Sequence, residues 1–292
     1  MTTIAPAATA TVSMPAKRRF LDVGGWLLTI LTLVCAAIWF FPLYWAVVTS
    51  LKTDDETVRQ GINLLPESLN FNGYAFVIQN SDLPYWYANS IITSVAVTVL
   101  AVFMAACTGY AISQLRFPGR TLLWYLILAS FMVPISALIV NHFIVIAGVK
   151  LLNTHAGIVL PMLITPVTVI VYKQFFDSVP REYREAAVID GSNEFQLLFR
   201  IFLPMNWGIT TALAIITFIG AWNSFLWPFL AAQDEKMMTV TVGITAVQDT
   251  FGVAYGRVLA GAVLAGLPVA LAYLIFQKRV TQAITLSAGI KG

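Results

Sequence analysis

Charge is scarce in this sequence. Only 11% of its 292 residues are Asp, Glu, Lys or Arg, while 59% are hydrophobic. A water-soluble domain carries about 25% charged residues. The mean hydropathy of +0.80 is more than one large core or two small ones can absorb, and the remainder would face water. Two cysteines are too few for a disulfide scaffold, and so apolar a chain is neither disordered nor collagenous. No basic patch interleaved with aromatics is present, which excludes nucleic acid as a partner. The phosphate loop G-x-x-x-x-G-K-[ST] is also missing, so ATP hydrolysis of that type belongs to other chains. What remains is an all-α polytopic membrane protein, with lipid as its surroundings.

Gaps between charges locate the spans. No Asp, Glu, Lys or Arg occurs between Asp22 and Lys52, Asp82 and Arg116, Arg120 and Lys150, Lys150 and Lys173, Arg200 and Asp234, or Arg257 and Lys278. About 20 apolar residues at 1.5 Å rise cross a hydrocarbon core roughly 30 Å thick. Six transmembrane helices are therefore predicted, over 24–50, 87–114, 121–148, 155–176, 206–231 and 256–277. These runs are too long and continuous for barrel strands. Of the Lys and Arg residues, 12 fall in the segments on the N-terminal side of the membrane and 5 on the other. The positive-inside rule puts both termini in the cytoplasm.

The head, residues 1–20, is Ala/Thr-rich and predicted to be disordered. Lys17-Arg18-Arg19 followed by an apolar run looks like a signal peptide. The run is too long for one and lacks a small-residue cleavage site, so it is taken as a retained first span. Residues 21–84 then comprise that span and an external segment, 85–282 the main transmembrane domain, and 283–292 a cytoplasmic tail. Two outer segments, 52–86 and 232–255, are long enough to dock a partner or to be plain solvated connectors. Met238–Thr245 within the second reads as a short strand or an apolar plug. Cys35 and Cys107 are read as small apolar packing residues.

The cytoplasmic segment 177–204 reads as a helix-turn-helix. Asp177 or Ser178 can cap the first helix, with Pro180 in its first turn. Gly191 ends it. Ser192 or Asn193 caps the second, with Gln196 in capping-box position after Asn193. Pro204 ends the second helix or kinks it. Tyr183, Ala186 and Ala187 share one face, and Phe195, Leu198, Phe199 and Phe202 form an apolar stripe. The Ala186–Ala187 face, flanked by Glu182 and Glu185, has no bulk and suits close approach by another protein. The alternative is an amphipathic loop lying on headgroups, with Arg181, Arg184 and Arg200 as its anchors.

From Glu185 the chain reads E-A-A-x3-G-x9-I-x-L-P, through Gly191, Ile201, Leu203 and Pro204. This resembles the cytoplasmic signature of ATP-binding-cassette importer permeases of type I. Ile189-Asp190-Gly191 resembles their carbohydrate branch, including the smaller permease subunit of the maltose system. Asn89-Ser90, Arg116-Phe117-Pro118-Gly119-Arg120, Leu152-Asn153-Thr154-His155-Ala156-Gly157, Trp222-Asn223-Ser224-Phe225-Leu226-Trp227-Pro228 and the ending Gly289-Ile290-Lys291-Gly292 resemble the same branch. The resemblance covers roughly residues 24–292.

It implies a non-catalytic permease in a bacterial inner membrane, with a division of labour. Glu185, Ala186, Ala187, Asp190 and Gly191 would sit in or beside a cleft on a cytoplasmic ATPase. A pair of ATP-binding subunits would hold ATP and Mg, and this chain would carry no cofactor or metal. A second homologous permease would complete a heterodimer. An extracytoplasmic solute-binding protein would deliver a sugar-type substrate and be probed by loop 232–255. The tail Ile284–Gly292 would touch the ATPases.

Polar groups inside lipid suggest a path or a helix contact. Trp222, Asn223 and Trp227 are candidates for the substrate path, since sugar sites combine amides with flat aromatic faces. The alternative for them is an interhelical hydrogen bond and an interface-belt Trp. His142 and His155 are read as packed or interfacial, and Gly261, Ala262, Ala265 and Gly266 as a close helix contact. Pro134, Pro161, Pro166, Pro228 and Pro268 are expected to kink or break spans. A membrane enzyme would need a catalytic constellation at one depth, and a secondary carrier usually keeps an ionisable mid-membrane residue. The spans contain no acidic residue, which disfavours both an enzyme and an autonomous carrier or channel.

Overall fold

The structure, a computed structural model, describes residues 23–59, 63–247 and 254–287. The head, Asp249 and residues 288–292 of the tail lie outside the described residues. The chain divides into two compact units, one ending at Trp45 and one beginning at Ala46. Helix α1, Val23–Ser50, runs through the division. In the first unit it shows an apolar surface to its surroundings, from Trp26 to Leu43, and Cys35 lies exposed on it.

The second unit contains the other helices. In chain order they are α2 (Asp54–Val58), α3 (Asn72–Asn80), α4 (Leu83–Gln114), α5 (Arg120–Phe131), α6 (Ile139–Gly148), α7 (His155–Met162) and α8 (Pro166–Asp177). There follow α9 (Arg181–Ile189), α10 (Glu194–Leu197), a π-turn (Leu198–Phe202), α11 (Leu203–Met205), α12 (Trp207–Trp222), α13 (Leu226–Ala231), α14 (Val240–Ala246) and α15 (Tyr255–Ser287). Among the described residues there is no strand.

Among the described residues three single helices are long and apolar enough to cross a membrane, α1, α4 and the apolar part of α15, Tyr255–Gln277, and three bent pairs would bring the number to the predicted six. The third span is broken, with Arg120–Phe131 meeting Ile135–Gly148 at 94°. The fourth is bent by 51° between His155–Met162 and Pro166–Asp177. A bend of 85° separates Glu194–Met205 from Trp207–Trp222, and the fifth span stops at Trp222 before resuming at Leu226. The prolines sort accordingly. Pro134 and Pro166 stand at breaks: Pro134 is itself extended, and Thr165 before Pro166 is off-helix. Pro268 lies within continuous α15, and Pro228 within α13.

Helix α4 is the centre of the unit. It starts with Pro84 in its first turn, has no later proline, and stops at Leu115 ahead of Phe117-Pro118. Its threonine hydroxyls bond back into the helix, as Thr93 Oγ1 to Asn89 O (2.7 Å) and Thr98 Oγ1 to Ser94 O (2.6 Å), so they are satisfied without water, whereas Ser94 Oγ is buried with no hydrogen-bond partner. Ala105, Ala106 and Tyr110 of α4 pack with Tyr172, Phe176, Phe202, Ala212 and Leu213 in the largest apolar cluster. Cys107 is half-buried beside them and unpaired.

The described parts of segments 52–86 and 232–255 are folded rather than loose. The Ser50 hydroxyl meets the Tyr74 hydroxyl at 2.7 Å, and the Glu67 N–H donates to the Glu56 carboxylate at 3.0 Å. Lys52 and Glu56 are buried there. The stretch expected to be a strand or plug is helical. In α14, Val240 and Val242 are buried against the start of α4. The close helix contact expected in the last span is real at Gly261, which faces Ile244, but a Cβ added at Gly266 would meet nothing within 4 Å among the described residues.

Candidate functional site

The hairpin α9–α11 folds from local signals. Pro180 is the cap of α9, with extended backbone, and lies outside the helix rather than in its first turn. Asp177 and Ser178 do not cap it. The Asp177 carboxylate instead accepts from Ser113 Oγ (2.6 Å) and pairs with Lys173. Gly191 ends α9 at φ +80°, a region that costs a residue with Cβ. Around it Ser192 N donates to Ala187 O (2.9 Å) and Gly191 N to Val188 O (3.0 Å), the paired bonds of a Schellman turn. Asn193 and Gln196 form the expected capping box, at 2.9 Å in both directions.

The expected Phe stripe is not the buried face. Leu198 and Phe202 are buried, as is Leu197, but Phe195 is 73% exposed and Phe199 stacks on Phe103 at the surface. On α9 only Ala187 enters the core. Glu185, Ala186, Asp190 and Gly191 are exposed, together with Ile189 at 85% and Tyr183. The hairpin thus shows one surface of small, acidic and apolar groups and buries the other.

Beneath the hairpin, Glu194 receives Arg184 Nη2 at 2.6 Å and the Tyr110 hydroxyl of α4. Gln114 Nε2 donates to Phe176 O at 3.1 Å. Spacing alone did not point to Glu194 or Tyr110, since their partners lie on different helices.

At the far end of α4, three side chains hold the segment before α14. Trp86 Nε1 donates to Glu235 O (2.8 Å), Asn89 Nδ2 to Lys236 O (2.7 Å) and Met238 O (3.0 Å), and Ser90 Oγ accepts from Val240 N (2.8 Å). His155 Nε2 meets Asn89 Oδ1 at 2.9 Å. Asn153, at φ +56°, accepts from Gln233 N (2.6 Å) and Asp234 N (2.9 Å) through Oδ1. The motifs around Asn89 and Asn153 therefore brace this segment, a role that their spacing did not reveal.

The three candidates for a substrate path separate. Trp222 is buried, donates to Ala265 O at 3.2 Å and packs beside Tyr87 and Phe218. Trp227 is buried in another cluster, donates to Ile158 O at 3.0 Å and meets His142 edge-on. Asn223 is exposed at the break between α12 and α13. Among the described residues no group of His, Cys, Asp and Glu is arranged to hold a metal.

Long apolar helices and an exposed helical hairpin define an all-α membrane component. Residues 97–285 match the family described as binding-protein-dependent transport system inner membrane component. The chain belongs to that family and is an inner-membrane permease component of a binding-protein-dependent importer. It is 30% identical over 268 residues to the arabinooligosaccharides transport system permease protein AraQ of Bacillus subtilis, covering 91% of this chain and 95% of that one. It is 30% identical over 270 residues to the sn-glycerol-3-phosphate transport system permease protein UgpE of Yersinia pestis, covering 90% and 95%. Its fold is similar to a chain of a bacterial ABC transporter involved in import of the acidic polysaccharide alginate. There the TM-score is 0.80 at 21% identity, over 91% of this chain and 99% of that one.

Proposed function

We propose that this chain is the translocating subunit for a sugar or sugar derivative, driven by ATP hydrolysis in two separate cytoplasmic subunits that bind ATP and Mg. It works with a second homologous permease and an extracytoplasmic solute-binding protein, and performs no covalent chemistry itself. Both termini and the α9–α11 hairpin face the cytoplasm. One observation carries the assignment: Glu185, Ala186, Asp190 and Gly191 are exposed on a hairpin whose other face, through Ala187, is locked into the core. A partner can push on such a surface and move the helices behind it.

Closure of the ATPase dimer on ATP would drive the hairpin inward, shut the cytoplasmic side and open the outer cavity to the binding protein. The relatives act on arabinooligosaccharides and sn-glycerol-3-phosphate, which supports a sugar-type substrate. Of the three candidates, exposed Asn223 is assigned to the path, while Trp222 and Trp227 are buried in separate clusters. The test is purification followed by reconstitution with a loaded binding protein. Recovery of an ATPase and a second permease, with ATP-dependent uptake, is expected. Solute flux that needs neither ATP nor partners would instead identify an autonomous carrier.

A further inference from the structure

Helix α4 is bound by oriented hydrogen bonds at both ends, and the helices beside it are interrupted. Its 32 residues span roughly 48 Å without a break. By contrast α7–α8 bends by 51° and the hairpin meets α12 at 85°. A displacement of the hairpin is absorbed at such bends, but not along one continuous rod.

We propose that Glu194 is a positioning residue that locks the hairpin to α4, so that α4 carries hairpin movement to segment 235–240 at the opposite end. This rests on the coupling role assigned above. Glu194 is the first residue of α10, and the Asn193–Gln196 capping box fixes its direction. Its carboxylate accepts at once from Arg184 on α9 and from the Tyr110 hydroxyl on α4. Two hydrogen bonds converging on one carboxyl group are directional and add orientation to the apolar contacts around them. The Tyr110 ring is wedged edge-on against Phe202 (5.2 Å) and Phe176 (6.2 Å), so its hydroxyl has little freedom. At the other end Trp86, Asn89 and Ser90, all buried, grip backbone atoms of residues 235–240. These three gripping side chains are buried, so packing opposes the rotamer changes that would release the backbone. Two oriented junctions on one stiff helix form a discrete physical link between the ends.

The test uses the reconstituted full transporter with Tyr110→Phe, Glu194→Gln and the double variant. Tyr110→Phe removes one oxygen and leaves the ring in its aromatic cluster. ATPase recruitment, ATP turnover, uptake per ATP and nucleotide-dependent labelling of a cysteine replacing exposed Lys236 are measured, in a background lacking Cys35 and Cys107. Expected are wild-type recruitment, persistent ATP turnover, a fall in uptake per ATP of about ten-fold, and loss of the nucleotide-dependent labelling change. The double variant should be no worse than the singles. Uptake per ATP within about two-fold of wild type, or losses that follow only the amount of assembled complex, overturn the proposal. If the wild-type transporter itself shows no ATP-dependent uptake, the coupling role fails and this link with it. If wild type and variants are equally active, the link alone falls.

Discussion

A Cβ built on Gly243 of α14 would stand 2.1 Å from Cδ2 of Trp86 on α4. The indole cannot retreat, because it is 3% exposed and its Nε1 donates to Glu235 O. Gly243→Ala is therefore expected to destabilise the protein by about 1–3 kcal/mol, seen as a lower unfolding midpoint in detergent. Gly208→Ala on α12, where nothing lies within 4 Å, is the control. It should be neutral or stabilising by up to about 1 kcal/mol.

Gly191 has open space around it but sits at φ +80°. A side chain there is opposed by backbone conformation and not by crowding within this chain. Gly191→Ala should cost about 1–2 kcal/mol in local hairpin stability, with Gly191→Asn milder. Gly191→Leu adds bulk to the proposed docking face and should abolish ATPase recovery on purification. Recruitment and uptake at wild-type levels with leucine would remove this surface from the coupling role.

Asn193→Ala deletes the cap of α10 and the anchor of Glu194. The expected loss is about 1 kcal/mol, read as faster amide exchange in residues 191–197 with the spans unchanged.

Asn89 is buried and serves Lys236 O, Met238 O and His155 together. Asn89→Leu leaves those groups short of a partner, each a buried deficit of about 1–3 kcal/mol. Proteolysis within residues 232–247 should accelerate, while the α9–α11 hairpin keeps its resistance. Equal resistance of both regions would mean that the brace is dispensable.

Replacing Asn223 by Leu should lower solute uptake while ATPase recovery stays constant, because the residue is exposed at a helix break away from the hairpin. Trp227→Phe removes the N–H that serves Ile158 O and should cost about 1 kcal/mol of stability. Unchanged uptake and unchanged coupling in Asn223→Leu would take Asn223 out of the path.

Local features were legible without coordinates. The Schellman turn at Gly191 and the capping box at Asn193 depend on neighbours within a few residues, so their residue types announce them. The Phe195 stripe was misread because the face that packs is centred on Leu197, Leu198 and Phe202, and which apolar face is covered depends on the helices beside it. The prolines show the same limit: Pro134 and Pro166 mark breaks, whereas Pro268 does not. Whether a proline interrupts a span depends on what its neighbours offer the freed carbonyl.

The sequence by itself determined that the chain lives in a membrane, roughly where its apolar helices lie, and that a capped helical hairpin follows the fourth of them. Desolvating a charge or capping a helix is a cost felt residue by residue, so composition and short spacing are enough. Tertiary structure alone decided that Tyr110 meets Glu194, that Trp86 lies over Gly243, and that Asn89 and Asn153 brace the segment before α14. Those contacts join residues far apart in the chain, and only the packing of complete helices selects which distant groups meet.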